Sequence, residues 1–184
     1  MLSYPVPGAL HAPALLSPQE CLSLIELAER AGYEAATVRL AAGEASMPQV
    51  RNNGRCIVEA PGWTTLLWQR LSALPLAALG GGSPMGLPRA LRFYRYRPGQ
   101  RFKMHRDGPW AEGGLTSRLT ALFYLNEGFE GGDTAFREAR VQPACGDALV
   151  FVHSLWHEGA EVRAGEKLVL RSDVLFAPAQ APGR

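Results

Sequence analysis

From Arg89 onward the chain breaks into short runs rich in β-branched and aromatic residues, separated by Gly and Pro turns. This texture constrains the fold more than any other feature. Runs near 90–97, 102–106, 118–126, 133–137, 147–153, 158–162 and 167–176 read as strands. Several short strands at this spacing predict a sandwich or barrel. The first half reads as helices and loops. Ser17-Pro18-Gln19-Glu20 combines an N-cap, a proline at the first helical position and a capping-box glutamate. Leu22, Leu24, Ile25, Leu27, Ala28 and Ala31 follow at helical spacing, and Gly32 is a stop. A second helix is expected after Pro61-Gly62, carrying Trp63, Leu66, Leu67, Leu71 and Leu74 and ended by Pro75. Arg51-Asn52-Asn53-Gly54-Arg55 reads as a polar loop and Gly80 to Pro84 as a turn. The expected class is α+β, mainly β, in one domain over 1–184. Residues 1–88 form a helical and loop support, 89–176 the β core, and the Pro/Ala-rich 177–184 a frayed tail.

Composition narrows the function classes. A net charge of +2 argues for neither nucleic acid nor membrane as a partner. No apolar run approaches the roughly eighteen residues of a spanning helix. The N-terminus lacks the basic start and continuous apolar stretch of a signal peptide. Cys21, Cys56 and Cys145 are odd in number, widely spaced and without zinc-ligand spacing. They read as small buried hydrophobes in a reducing compartment, which gives a cytoplasmic expectation.

The chemistry-bearing residues lie in the β half. His105-Arg106-Asp107 puts an imidazole and a carboxylate two residues apart, so on a strand both point to one face. A third ligand must come from elsewhere. His157 follows the apolar run Ala148-Leu149-Val150-Phe151-Val152, which could deliver it to the same cavity. Two histidines and one carboxylate leave positions open and suit non-haem iron(II). Zinc hydrolytic sites use the same set, and a surface turn at 105–107 beside a packed His157 is the plain structural reading. His11 and His153 read as structural or exposed, with His153 the fallback ligand.

Tyr96-Arg97-Pro98-Gly99-Gln100-Arg101-Phe102-Lys103-Met104-His105-Arg106-Asp107 resembles the Tyr-x-x-Gly-x-x-Phe-x-x-His-x-Asp segment of 2-oxoglutarate- and iron(II)-dependent dioxygenases, in the prolyl 4-hydroxylase branch. Leu119 to Asn126 resembles that branch's Tyr-Leu-Asn strand, and Gly131 to Phe136 its Gly-Gly-x-Thr-x-Phe turn. Val141 to Leu149 resembles its Pro-x-x-Gly-x-Ala entry. His157-Glu158-Gly159 with Val162, Gly165 and Lys167 resembles its ending. The five segments keep the family's order over residues 94–176.

The resemblance implies a double-stranded β-helix, or jelly-roll, as the catalytic core, with helices on its outer face. It implies iron(II) held by His105, Asp107 and His157, with 2-oxoglutarate and O2 as reactants and ascorbate in support. It implies Lys167 as the cation for the far carboxylate of the keto acid. Arg171, four residues on and on the same strand face, is the second choice. Tyr124 matches a tyrosine that touches that carboxylate, Thr120 and Leu122 share its strand face, and Tyr96 matches a pocket tyrosine. Asp107 favours hydroxylation, because halogenating relatives carry a small residue there. Arg51, Asn53, Arg55 and Trp110 are the substrate-side expectation; a plain polar loop is the alternative. The expected reaction is hydroxylation of an unactivated C–H bond, on a peptidyl residue such as proline. The alternatives are a free amino acid or other small molecule, and a jelly-roll binding protein without turnover.

Overall fold

The computed structural model describes residues 1–40, 43–142 and 144–178. The first half supplies β1 (Ala9–Ala12), α1 (Pro18–Ala31), β2 (Glu34–Ala35), β3 (Val38–Leu40), β4 (Gly43–Ala45), β5 (Gly54–Glu59), α2 (Pro61–Leu71), α3 (Leu76–Gly80) and β6 (Pro84–Gly86). β7 (Ala90–Tyr96), β8 (Phe102–His105), β9 (Ala111–Glu112), β10 (Leu115–Tyr124), β11 (Glu130–Gly131) and β12 (Thr134–Phe136) follow. The chain continues through β13 (Arg140–Val141), β14 (Ala148–Val152), β15 (His157–Gly159), β16 (Val162–Ala164) and β17 (Lys167–Phe176).

These strands build a jelly-roll from antiparallel sheets. The major sheet runs β1-β14-β10-β17-β7-β5-β2, with β6 on β17 and β9 on β10. The minor sheet runs β13-β12-β15-β8. Side chains alternate across the major sheet, so each long strand serves two layers. Phe93, Phe123 and Leu170 point to one side and pack with Leu24 and Ala28 of α1 and Leu67 and Leu71 of α2. Tyr94, Thr120, Leu122, Val169 and Arg171 point to the other side, into a cavity closed by the minor sheet. A buried phenylalanine such as Phe123 in the first layer contributes roughly 2–3 kcal/mol by removing apolar area from water.

The α1 start follows the local signal. Glu20 N–H donates to Ser17 Oγ at 3.2 Å and Ser17 N–H to Glu20 Oε2 at 2.7 Å. Arg70 of α2 then grips the same carboxylate at 2.7 and 2.5 Å, tying the two helices together. The β1 and β5 strands have no counterpart in the sequence reading. The loop expected at 51–55 runs into β5, which pairs with β7 from Gly54↔Arg95 to Glu59↔Ala90. Its inward alternation is too short to register as a period of two, and Asn53-Gly54 reads locally as a turn. The run expected at 158–162 divides. β15 joins the minor sheet, while β16 pairs with β11. The tail expected at 177–184 lies outside the described residues from 179 onward, as does Pro143.

One turn requires glycine. Gly131 and Gly132 have φ of +74° and +69°, and a Cβ on Gly131 would sit 2.3 Å from the Glu161 carbonyl oxygen. This close approach lets the chain reverse into β12 beneath Lys167.

Candidate active site

β8 and β15 are neighbours in the minor sheet, and their register sets His105 directly opposite His157. The two rings are 4.2 Å apart at their centroids. Asp107 lies just past β8, where its N–H donates to the His153 carbonyl at 3.1 Å. The ligand atoms of His105, Asp107 and His157 all lie within 4.8 Å of one another.

The tautomers follow from the partners. His105 Nδ1 is 2.7 Å from the Lys103 carbonyl and His157 Nδ1 is 3.1 Å from the Leu155 carbonyl. A carbonyl only accepts, so each Nδ1 carries its proton and each Nε2 presents a lone pair. Both Nε2 atoms face Asp107, at 3.8 Å for His105 and 3.6 Å for His157. Burial pushes the His105 imidazole down to about 3, helped by His157, and pushes His157 down as well. Burial works against the Asp107 charge, but Arg171 and the two histidines hold its carboxyl well below the usual range. Two neutral imidazoles and one carboxylate facing a shared point fit a divalent ion with open coordination positions.

Asp107 is held by a directional chain of hydrogen bonds. Thr120 Oγ1 donates to Asp107 Oδ2 at 2.5 Å, because the carboxylate can only accept. Thr120 therefore accepts from His153 Nδ1 at 3.0 Å. Ser117 Oγ, 2.9 Å from His153 Nε2, donates to that nitrogen and accepts from the Trp110 N–H at 2.8 Å. Burial keeps His153 neutral, as this order of donors requires.

At the other end of the cavity Lys167 is 3% exposed, opposite Tyr96 in the β7–β17 register. Its Nζ donates to the Gly132 carbonyl and stands 5.6 Å from the Tyr96 ring and 5.3 Å from the Tyr124 ring. Burial brings its ammonium down to about 7, against the pull of Asp133. Tyr124 bonds Thr134 Oγ1 through its hydroxyl at 2.7 Å. Thr134, Phe102, Glu158 and Tyr94 line the cavity without having been expected there. The Gly-Gly-x-Thr turn carried the signal for Thr134, while the other three needed strand register.

The remaining candidates divide. Tyr96, Thr120 and Leu122 line the cavity, whereas Tyr124 stands behind Thr134. Arg171 lines the metal end, 3.1 Å from both Asp107 Oδ1 and Asp173 Oδ1. Arg51 is buried against Tyr94 and Phe102 and donates to Asn53 Oδ1 at 2.8 Å. Asn53, also buried, donates to the Gly54 carbonyl at 2.7 Å. Arg55 pairs with Glu34 at 3.6 Å, and Trp110 bonds Glu112 through its indole N–H at 3.2 Å. None of these four lines the cavity itself; Arg51 packs behind its lining residues Tyr94 and Phe102. Trp156 is half-exposed between the Arg106 and Arg137 guanidiniums, each 5.1 Å from its ring.

Residues 91–172 match the model of the 2OG-Fe(II) oxygenase superfamily. The matched segment runs from β7 into β17 and contains His105, Asp107, His157, Lys167 and Arg171. The oxygenase fold is also that of solved prolyl hydroxylases. A viral collagen prolyl hydroxylase from Paramecium Bursaria Chlorella virus-1, solved with 2OG, is 21% identical with a TM-score of 0.66, over 92% of this chain and 96% of that one. A prolyl-4-hydroxylase from Pseudomonas putida is 18% identical with a TM-score of 0.69, covering 93% and 94%. A Trichoplax adhaerens prolyl hydroxylase, in complex with a hypoxia inducible factor peptide, is 18% identical with a TM-score of 0.72, covering 92% and 84%. No curated protein matches the sequence at a significant level. The superfamily's reactants are iron(II), 2-oxoglutarate and O2. Among the described residues no helix is long and apolar enough to cross a membrane.

Proposed function

We propose that this chain is an iron(II)- and 2-oxoglutarate-dependent dioxygenase that hydroxylates an unactivated C–H bond, on a peptidyl residue such as proline. The observation that carries this reading is the convergence of His105, Asp107 and His157 at one end of a cavity whose other end is a buried lysine. When bound, the metal and keto acid supply the oxygen activation that no side chain provides. The chain's own residues position and insulate. His105 and His157 offer Nε2 without first losing a proton. Asp107, already ionised and fixed by Thr120, adds the anionic ligand.

Lys167 is the anchor for the far carboxylate. One of its donors goes to the Gly132 carbonyl, which leaves two for a ligand in the cavity that Lys167 lines. Arg171 is engaged with Asp107 and Asp173 instead. Removing the cation opposite a buried carboxylate costs about 2–5 kcal/mol. The peptide reading draws on the peptide bound by the Trichoplax relative. Ascorbate is the supporting reductant in this reading, and the three free thiols, Cys21, Cys56 and Cys145, suit a reducing compartment.

The test is succinate formation from 2-oxoglutarate by iron(II)-loaded protein with ascorbate. It is paired with a mass search for a 16 Da gain on peptides and metabolites. His105→Ala and Asp107→Ala are expected to abolish succinate release, and Lys167→Ala to raise the 2-oxoglutarate KM at least tenfold. Iron-loaded wild type that forms no succinate would leave a binding protein as the reading. The KM effect appearing in Arg171→Ala instead would move the anchor there.

A further inference from the structure

Three guanidiniums gather on the cavity side of the major sheet and share too few carboxylates. Arg92 and Arg171 are direct partners across β7 and β17. Like charges in that relation destabilise a sheet unless something neutralises them. Asp173, 1% exposed, lies between them, 2.6 Å from Arg92 Nη1 and 3.1 Å from Arg171 Nη2. Arg171 has Asp107 as its second counter-charge.

Arg51 is more anomalous. It is 7% exposed, its guanidinium 4.3 Å from the Tyr94 ring and 4.5 Å from the Phe102 ring. Its hydrogen-bond partners, Asn53 Oδ1 at 2.8 Å and the Thr37 carbonyl at 3.5 Å, are both neutral. Among the described residues it pairs with no carboxylate. Arg51 Nη2 and Arg171 Nε are buried with no hydrogen-bond partner. The two side chains meet around one group. Burial would raise the Tyr94 phenol, yet the Arg51 and Arg171 charges bring it down to about 8. Tyr94, Phe102 and Arg171 all line the cavity.

Filling the site as proposed does not supply the missing counter-charge, because a divalent metal and a keto acid with two carboxylates cancel. Asp107 then belongs to the metal, and Lys167 to the keto acid's far carboxylate. Asp173 is left as the acid shared by Arg92 and Arg171, and among the described residues Arg51 pairs with none. Glu158 also lines the cavity but pairs with none of them. A buried charge without a partner is costly, and unmade N–H bonds add to the cost. A ligand anion would remove both penalties, and guanidinium groups are matched to a carboxylate in shape as well as charge.

We infer that the substrate carries a carboxylate, and that Arg51, Tyr94 and Arg171 bind it beside the metal end of the cavity. The inference rests on the dioxygenase reading. The carboxylate has two sources, a free acid or an acidic residue next to the modified one in a peptide.

The experiment uses protein loaded with Zn(II) and saturating 2-oxoglutarate. Acetate and its neutral isostere acetamide are titrated by saturation-transfer NMR on their methyl protons. Acetate is expected to bind saturably and acetamide not. Arg51→Gln should weaken acetate about tenfold, the loss expected for a charged hydrogen bond, while Arg51→Lys, which keeps the charge, should recover most of it. Tyr94→Phe, which keeps the ring under Arg51, is a second variant expected to weaken acetate. N-acetylproline and the capped peptide acetyl-Pro-Asp-amide then compete against acetate, and the stronger competitor names the source. Equal binding of acetate and acetamide, wild-type affinity in both Arg51→Gln and Tyr94→Phe, or no competition from either compound would each overturn the inference. The same samples report 2-oxoglutarate affinity. Failure of that binding sinks the dioxygenase reading, whereas 2-oxoglutarate binding without acetate binding sinks this inference alone.

Discussion

Replacing His153 by asparagine or by glutamine separates two nitrogens that a histidine offers together. The asparagine amide reaches the position of Nδ1, and the glutamine amide that of Nε2. In the chain from Trp110 to Asp107, the nitrogen nearer the metal site is Nδ1, which donates to Thr120 at 3.0 Å. Thr120 in turn donates to Asp107 at 2.5 Å. His153→Asn keeps a donor for Thr120 and should bind metal within about threefold of wild type. His153→Gln moves its amide toward Ser117 and leaves Thr120 without a donor. A hydrogen bond serving a charged group contributes about 1.5–3 kcal/mol. His153→Gln should therefore weaken metal about tenfold to a hundredfold, in the range measured when the partners of metal ligands are removed. Competition titration of Co(II), with its visible absorption reporting the ligand field, gives both affinity and geometry. Equal affinities for the two variants, or a loss in His153→Asn alone, would refute this direction of donation.

Three further outcomes follow from the same geometry. Lys167 titrates near 7 in the folded chain and near 10.5 unfolded, so between those values the unfolded state holds a proton the folded state lacks. Stability of the metal-free protein should rise with pH across that window. The burial penalty is fully present below pH 7, on the order of 5 kcal/mol. Lys167→Met should raise the melting temperature most near pH 6 and least near pH 10, and a pH-independent gain would contradict it. 2-Oxoglutarate binding at pH 8 should take up a proton through Lys167, seen as a buffer-dependent calorimetric heat, and Lys167→Met should abolish that dependence. Gly131→Ala places a methyl 2.3 Å from the Glu161 carbonyl in a left-handed backbone, so it should cost about 2–4 kcal/mol in urea unfolding.

What the sequence discloses depends on how local the signal is. The α1 cap is written in four consecutive residues, and the structure closes those same bonds. The spacing of His105 and Asp107 announces a shared face, and family order brings in His157 fifty residues later. The β5 strand is not legible, because its pairing with β7 spans more than thirty residues and its local turn signal points the other way. The hydrogen-bond chain behind Asp107 is equally hidden. Thr120, His153 and Ser117 are ordinary residues until the β10–β14 register sets Thr120 opposite Phe151 and so brings His153 past the strand end. Arg51 reads as a solvated loop charge, because only tertiary packing places Tyr94 and Phe102 against its guanidinium.

β17 carries Lys167, Val169, Arg171 and Asp173 at alternate positions on one face, and the first three line the cavity. A strand is a ruler with a step of about 6.6 Å between such neighbours. Insertion of a single residue between Lys167 and Arg171 would turn one of them into the helix-facing layer. Along β17, then, side chains can be exchanged one at a time, whereas a change of length between Lys167 and Arg171 would separate the two ends of the site.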